Sequence, residues 1–77
     1  MADYKITPAM IRYLKVLKSL DPLCRGVRSV EVARALSISR SSVHTMMERL
    51  SESGLVEKIH YGIVYLTEEG IQLAEKQ

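Results

Sequence analysis

Residues 29–54 read SVEVARALSISRSSVHTMMERLSESG, and their spacing predicts two short helices joined by a tight turn. Val32, Ala33 and Leu36 fall at i, i+1 and i+4, one apolar stripe of a helix. Ala33 is small enough for a second helix to cross closely above it. Ser37-Ile38-Ser39 forms the turn, with Ile38 as its apolar plug. Ser39 is placed to cap the next helix, its hydroxyl satisfying a free backbone N–H. Val43, Met46, Met47 and Leu50 recur at i, i+3, i+4 and i+7 and are expected to face inward. Arg40, Ser41, Ser42, His44, Thr45 and Glu48 are left facing out. Gly54 ends the second helix as the residue beyond its cap. This layout is a helix-turn-helix, and its hydroxyl-rich leading edge suits the groove of duplex DNA. Ser37 departs from the pattern, since glycine adopts such a turn with less strain.

Working outward, Thr7-Pro8 opens an earlier helix, with Thr7 as cap and Pro8 at the first helical position. Met10, Ile11, Leu14 and Leu17 line its inner face, and Arg12, Lys15 and Lys18 its outer one. Asp21-Pro22 stops it, and Leu23 to Val27 reads as a loop. After Gly54 the pattern becomes β-rich: Leu55–His60 and Ile63–Leu66, joined by a two-residue Tyr61-Gly62 connection of hairpin type. Thr67 caps a last helix, whose Glu68 and Glu69 complement the helix dipole. Ile71, Leu73 and Ala74 are its apolar contacts, and Gly70 in its first turn implies close packing. The order is helix, helix, helix, strand, strand, helix. The expected fold is mainly α with a small β-hairpin, a winged helix-turn-helix, with residues 1–77 forming a single domain.

Composition sets the limits. The 77 residues are 47% hydrophobic, enough for one core, and carry four tyrosines as their only aromatics. No apolar run reaches eighteen residues and no signal peptide is evident, which predicts a soluble, cytoplasmic protein without a membrane partner. One cysteine, Cys24, excludes an internal disulfide and reads as a small buried hydrophobe. The net charge of +2 says little, but its distribution is uneven: residues 1–20 and 25–50 each carry +3, and residues 51–77 carry −3. The basic side thus contains the helix-turn-helix.

Residues 7–75 resemble the N-terminal domain of the diphtheria-toxin-repressor and manganese-transport-regulator family, metal-dependent repressors within the wider MarR-like winged-helix group. Tyr13-Leu14, Val30–Leu36, Ser41-Ser42-Val43, Glu52–Val56 and Leu66–Gly70 carry the resemblance. It implies DNA-contacting roles for Ser29, Ser39, Ser41, Ser42, His44 and Thr45, which overlap the outward set read from spacing. Ser29, Ser39 and Ser41 would bond phosphates from helix N-termini. Ser42, His44 and Thr45 would reach base edges. Arg40 suits either task, and Arg28 and Arg49 suit the backbone. In the wing, Lys58, His60 and Tyr61 are the candidates for a phosphate or the minor groove. The family's metal ligands on the first helix fall on Arg12 and Lys15 here, two cations that repel a divalent metal. The dimerisation domain that follows in the family has no counterpart in these residues. No metal, cofactor or small-molecule ligand is therefore expected, and dimerisation would use the first and last helices with Tyr4 and Ile6.

The expectation is a sequence-specific DNA-binding transcriptional regulator, a repressor by resemblance. It would lay residues 40–52 in the major groove beside a short wing at 56–66, with double-stranded DNA and a second copy as partners. The alternative is a winged-helix protein-interaction module, or an anti-repressor that pairs with another regulator. Low net charge and a serine-rich face favour that rival. Catalysis is not expected: neither His44 nor His60 has a nucleophile at a recognisable spacing, and the glycines form no phosphate loop.

Overall fold

A computed structural model describes residues 6–59 and 62–76. The elements are α1 (Pro8–Leu20), β1 (Val27–Arg28), α2 (Ser29–Leu36), α3 (Arg40–Glu52), β2 (Val56–Ile59), β3 (Ile63–Leu66) and α4 (Glu68–Lys76). α1, α3 and α4 begin where a cap was expected, while α2 follows Arg28 without a side-chain cap. The Met10 amide donates to Thr7 Oγ1 at 3.2 Å, the Ser42 amide to Ser39 Oγ at 3.1 Å, and the Gly70 amide to Thr67 Oγ1 at 3.1 Å. Each such bond satisfies one of the amides that a helix start leaves without an intrahelical partner.

α2 and α3 end in one pattern. The Leu55 amide donates to the Leu50 carbonyl and the Gly54 amide to the Ser51 carbonyl, with Gly54 at φ +76°. That pair of bonds is a Schellman closure, with Leu50 and Leu55 both buried beneath it. α2 closes the same way, through Ile38 to Ala33 and Ser37 to Arg34. There the left-handed position, φ 58° and ψ 46°, belongs to Ser37.

The core unites all the helices and the sheet. Leu14 and Leu17 of α1, Val32 of α2, Val43, Met47 and Leu50 of α3, Val56 of β2 and Val64 of β3 are its fully buried members. Each such side chain contributes about 1.5–3 kcal/mol of hydrophobic free energy. Tyr13 joins them, a position the apolar stripe of α1 had not included. Leu36, Met46, Ile71 and Leu73 are half-buried at its margin, as is Cys24 in the loop after α1. That loop winds around the Asp21 carboxylate, which accepts from the Arg25 amide at 2.9 Å and the Gly26 amide at 2.7 Å.

Two expectations are corrected. Val27 is not loop: Val27 and Arg28 pair antiparallel with Val64 and Ile63, so the hairpin becomes a three-stranded sheet of order β1-β3-β2. Two residues are too few for any period to show, and only the neighbouring strand makes them a strand. The β2–β3 register places Ile59 opposite Ile63, and His60 and Tyr61, expected to end one strand and to turn the chain, lie outside the described residues. Ile38 does not plug the turn. It remains 37% exposed, at a rim with Ala9, Tyr13 and Leu36, because the left-handed turn at Ser37 directs it toward α1 and the surface.

Candidate nucleic-acid interface

α3 has two faces by construction. Val43, Met47 and Leu50 repeat at i, i+4 and i+7 and are buried. Their burial turns Ser41, His44, Thr45 and Glu48, also spaced three and four apart, into a stripe on the opposite side. Arg40, Ser41, Ser42, His44, Thr45 and Arg49 are all exposed. The first turn of α3 is reached by solvent from its open end, with Ser39 in extended conformation before it. Ser39 Oγ also bonds Ser42 Oγ at 3.1 Å, so these two hydroxyls are partly engaged with each other.

Two depressions flank the stripe. On one side Ser41, Ser42, Thr45 and Arg49 of α3 face Ala9 and Tyr13 of α1 across an open groove. On the other, His44 and Met47 face Ser29, Lys58, Gly62 and Ile63 across a narrower crevice between α3 and the wing. β1 holds the wing there. Arg28 is exposed beside Ile63 of β3, and the Ser29 hydroxyl donates to the Gly62 carbonyl at 3.1 Å. Ser29, expected at a phosphate, therefore ties the start of α2 to the wing, while its oxygen retains lone pairs for a further donor.

An ionic clasp links wing and helix. Lys58 Nζ donates to Glu48 Oε2 at 2.6 Å, and His44 Nε2 lies 3.4 Å from the same oxygen. The Lys58 hydrogen bond, reinforced by its charge, holds the Glu48 carboxyl below the usual carboxylate range. Sequence reasoning left Glu48 outward and without a role. The His44–Glu48 spacing of i, i+4 is legible in the chain, but the third member arrives from β2. His60 and Tyr61, the other wing candidates, lie outside the described residues, as does Tyr4.

The residues at the family's metal positions do not fit a metal. Arg12 and Lys15 are both exposed on α1, and neither cationic side chain ligates a divalent ion. Among the described residues no group of three or more His, Cys, Asp or Glu side chains is placed to hold one. Nor is any helix among them long and apolar enough to cross a membrane.

A capped helix with an exposed polar stripe, set on a second helix and flanked by a small sheet, defines a winged helix-turn-helix DNA-binding domain. The chain belongs to the family described as the IclR helix-turn-helix domain, which matches residues 9–60. It is 34% identical over 64 residues to a transcriptional regulator MntR of Escherichia coli, covering 83% of this chain and 41% of that protein. An uncharacterised helix-turn-helix transcriptional regulator of Aeropyrum pernix is 38% identical over 66 residues, covering 83% and 37%. The chain thus spans about two fifths of the length of these relatives, both of them transcriptional regulators. Among solved structures, the reduced form of MarR from E. coli superposes with a TM-score of 0.81 at 28% identity, over 94% of this chain and 51% of that one. A MarR-family protein of Mycobacterium tuberculosis, solved in complex with DNA, superposes at 0.73 and 26% identity, over 91% and 51%.

Proposed function

We propose that this chain acts as a single sequence-specific DNA-reading domain of a cytoplasmic transcriptional repressor, with α3 lying in the major groove and β2–β3 as its wing. The observation that carries this reading is the exposed stripe Ser41, His44, Thr45, opposite the buried Val43, Met47 and Leu50. A helix rod about 10–12 Å across with its side chains fits the major groove, which is about 12 Å wide. Ser39 and Ser41 at the helix start meet phosphate, where unpaired amides and the dipole add to the attraction. Ser42, His44 and Thr45 present donors, acceptors and a methyl group to base edges. Arg40 reaches either phosphate or base. Arg28 and Arg49 flank the stripe as cations for the two strands, Lys58 meets the interface through its clasp on Glu48, and Ser29 adds a hydroxyl on the wing side. His60 and Tyr61 complete the proposed contacts.

The domain reads DNA as a homodimer, because one reading head covers too little sequence for high specificity. The surface that supports pairing lies between α1 and α4, where Ile6, Pro8, Ile11 and Leu73, with Thr7 and Lys15 beside them, line an open groove. Sedimentation at high micromolar concentration is expected to show a dimer. A monomer throughout would remove this part of the reading.

Salt dependence tests the DNA role itself. Binding to duplex DNA should weaken steeply as salt rises, with a log–log slope of roughly −0.9 for each phosphate neutralised. Arg28, Arg40 and Arg49, the cations not held by a carboxylate of the reading surface, predict a slope of about −3 per domain by that rule. Shallow or undetectable binding would favour the protein-interaction alternative.

A further inference from the structure

A carboxylate stands in the middle of the proposed reading surface. Glu48 shares the exposed stripe with Ser41, His44 and Thr45, and its side chain is 47% exposed. An acidic group aimed at a polyanion is repelled unless it is neutralised or finds a donor. Here it is met from two separate elements: Lys58 of β2 at 2.6 Å and the imidazole of His44, one turn earlier on α3, at 3.4 Å. Among the described residues both contacts use Oε2, and neither uses Oε1. An ordinary surface ion pair contributes little to stability. This one instead pins a negative group at a fixed height on the helix and withholds the wing's lysine from the surroundings.

We propose that Glu48 is a specificity-determining residue of the DNA interface: held by Lys58, it accepts a hydrogen bond from the exocyclic amine of one cytosine and disfavours every other base there. The inference rests on the DNA-reading role proposed above. The chemistry of the major groove selects the base. Guanine shows two acceptors, O6 and N7, and thymine shows O4 with a methyl group, so both repel or exclude a carboxylate. Adenine has the N6 donor, but its N7 acceptor lies alongside. Cytosine offers the N4 donor without a neighbouring acceptor on its own edge. Discrimination therefore comes as much from repulsion of wrong partners as from attraction to the right one. The same pairing lowers affinity for random sequence, because Lys58 is engaged with Glu48 and not with phosphate.

Selection from randomised duplex oligonucleotides, run on the 77-residue chain and on Glu48→Gln, tests this directly. A salt series on non-specific duplex accompanies the selection. The wild-type motif should contain one position enriched in cytosine by about ten-fold or more. Glu48→Gln should lose that preference while keeping the rest of the motif. Its non-specific binding should strengthen, with a salt slope steeper by about 0.9 as Lys58 is released to a phosphate. Glu48 is half-exposed, and matching circular dichroism and urea midpoints establish that the variant is folded. A wild-type motif that survives Glu48→Gln unchanged at every position overturns the inference and leaves the DNA-reading role standing. A wild-type chain that enriches no motif overturns both.

Discussion

Ser37 carries a backbone conformation that its side chain opposes. At φ 58° and ψ 46° it occupies the left-handed region, which costs an L-residue about 1–2 kcal/mol. Glycine escapes that cost but loses about 0.5–1 kcal/mol of chain entropy on ordering. Ser37→Gly should therefore stabilise the domain by roughly 0.5 kcal/mol, read as a higher urea midpoint at unchanged slope. A lower midpoint would show that the Ser37 side chain contributes more than the strain removes. Glu48 is the second residue with a measurable signature. Lys58 holds its carboxyl below the ordinary value of 4.5, so the ionised form is favoured in the folded chain. The stabilising effect is present above pH 4.5 and is lost as pH falls through the depressed folded value. A carbon-detected NMR titration should place the Glu48 midpoint below that of a free glutamate. In Lys58→Met it should return upward, and a midpoint indifferent to Lys58 would remove the clasp.

At the scale of elements, the corner between α3 and α4 is the tightest joint. The Thr67 hydroxyl donates to the Gly54 carbonyl at 2.7 Å while accepting from the Gly70 amide. The Thr67 amide in turn donates to the Leu55 carbonyl. A Cβ at Gly70 would overlap that same Leu55 oxygen and sit 3.1 Å from Leu66. Backbone cannot yield as a side-chain tip can, so Gly70→Ala forces α4 away from the turn. The cost should be about 1–3 kcal/mol or more by the usual penalty for overpacking. Thermal unfolding of Gly70→Ala checks this, and a midpoint within a degree of wild type would contradict it. The expectation that Gly70 marked close packing was legible in the sequence as a poor helix residue where a helix had to begin. What it packed against was not, because Leu55 approaches only once α3 has turned at Gly54.

For the whole molecule, the charge on α1 decides a further outcome. Arg12 and Lys15 stand where the manganese-regulator family is expected to carry ligands, so calorimetric titration with manganese should show no tight, stoichiometric binding. A sub-micromolar site would show that other side chains supply the donors. The sequence by itself determined the helices, their caps and the two faces of α3, because these depend on neighbours within one or two turns. Apolar spacing of three and four, Thr7, Ser39 and Thr67 before helices, and Gly54 after one all act locally. Tertiary structure alone decided the rest. Val27 and Arg28 became a strand only beside β3, and Tyr13 entered the core while Ile38 stayed at the rim. Ser29 was drawn to the wing's Gly62 carbonyl, and Glu48 met Lys58 across ten positions of chain. Those outcomes depend on which elements fold next to each other, and side-chain contacts across elements leave no period in the chain.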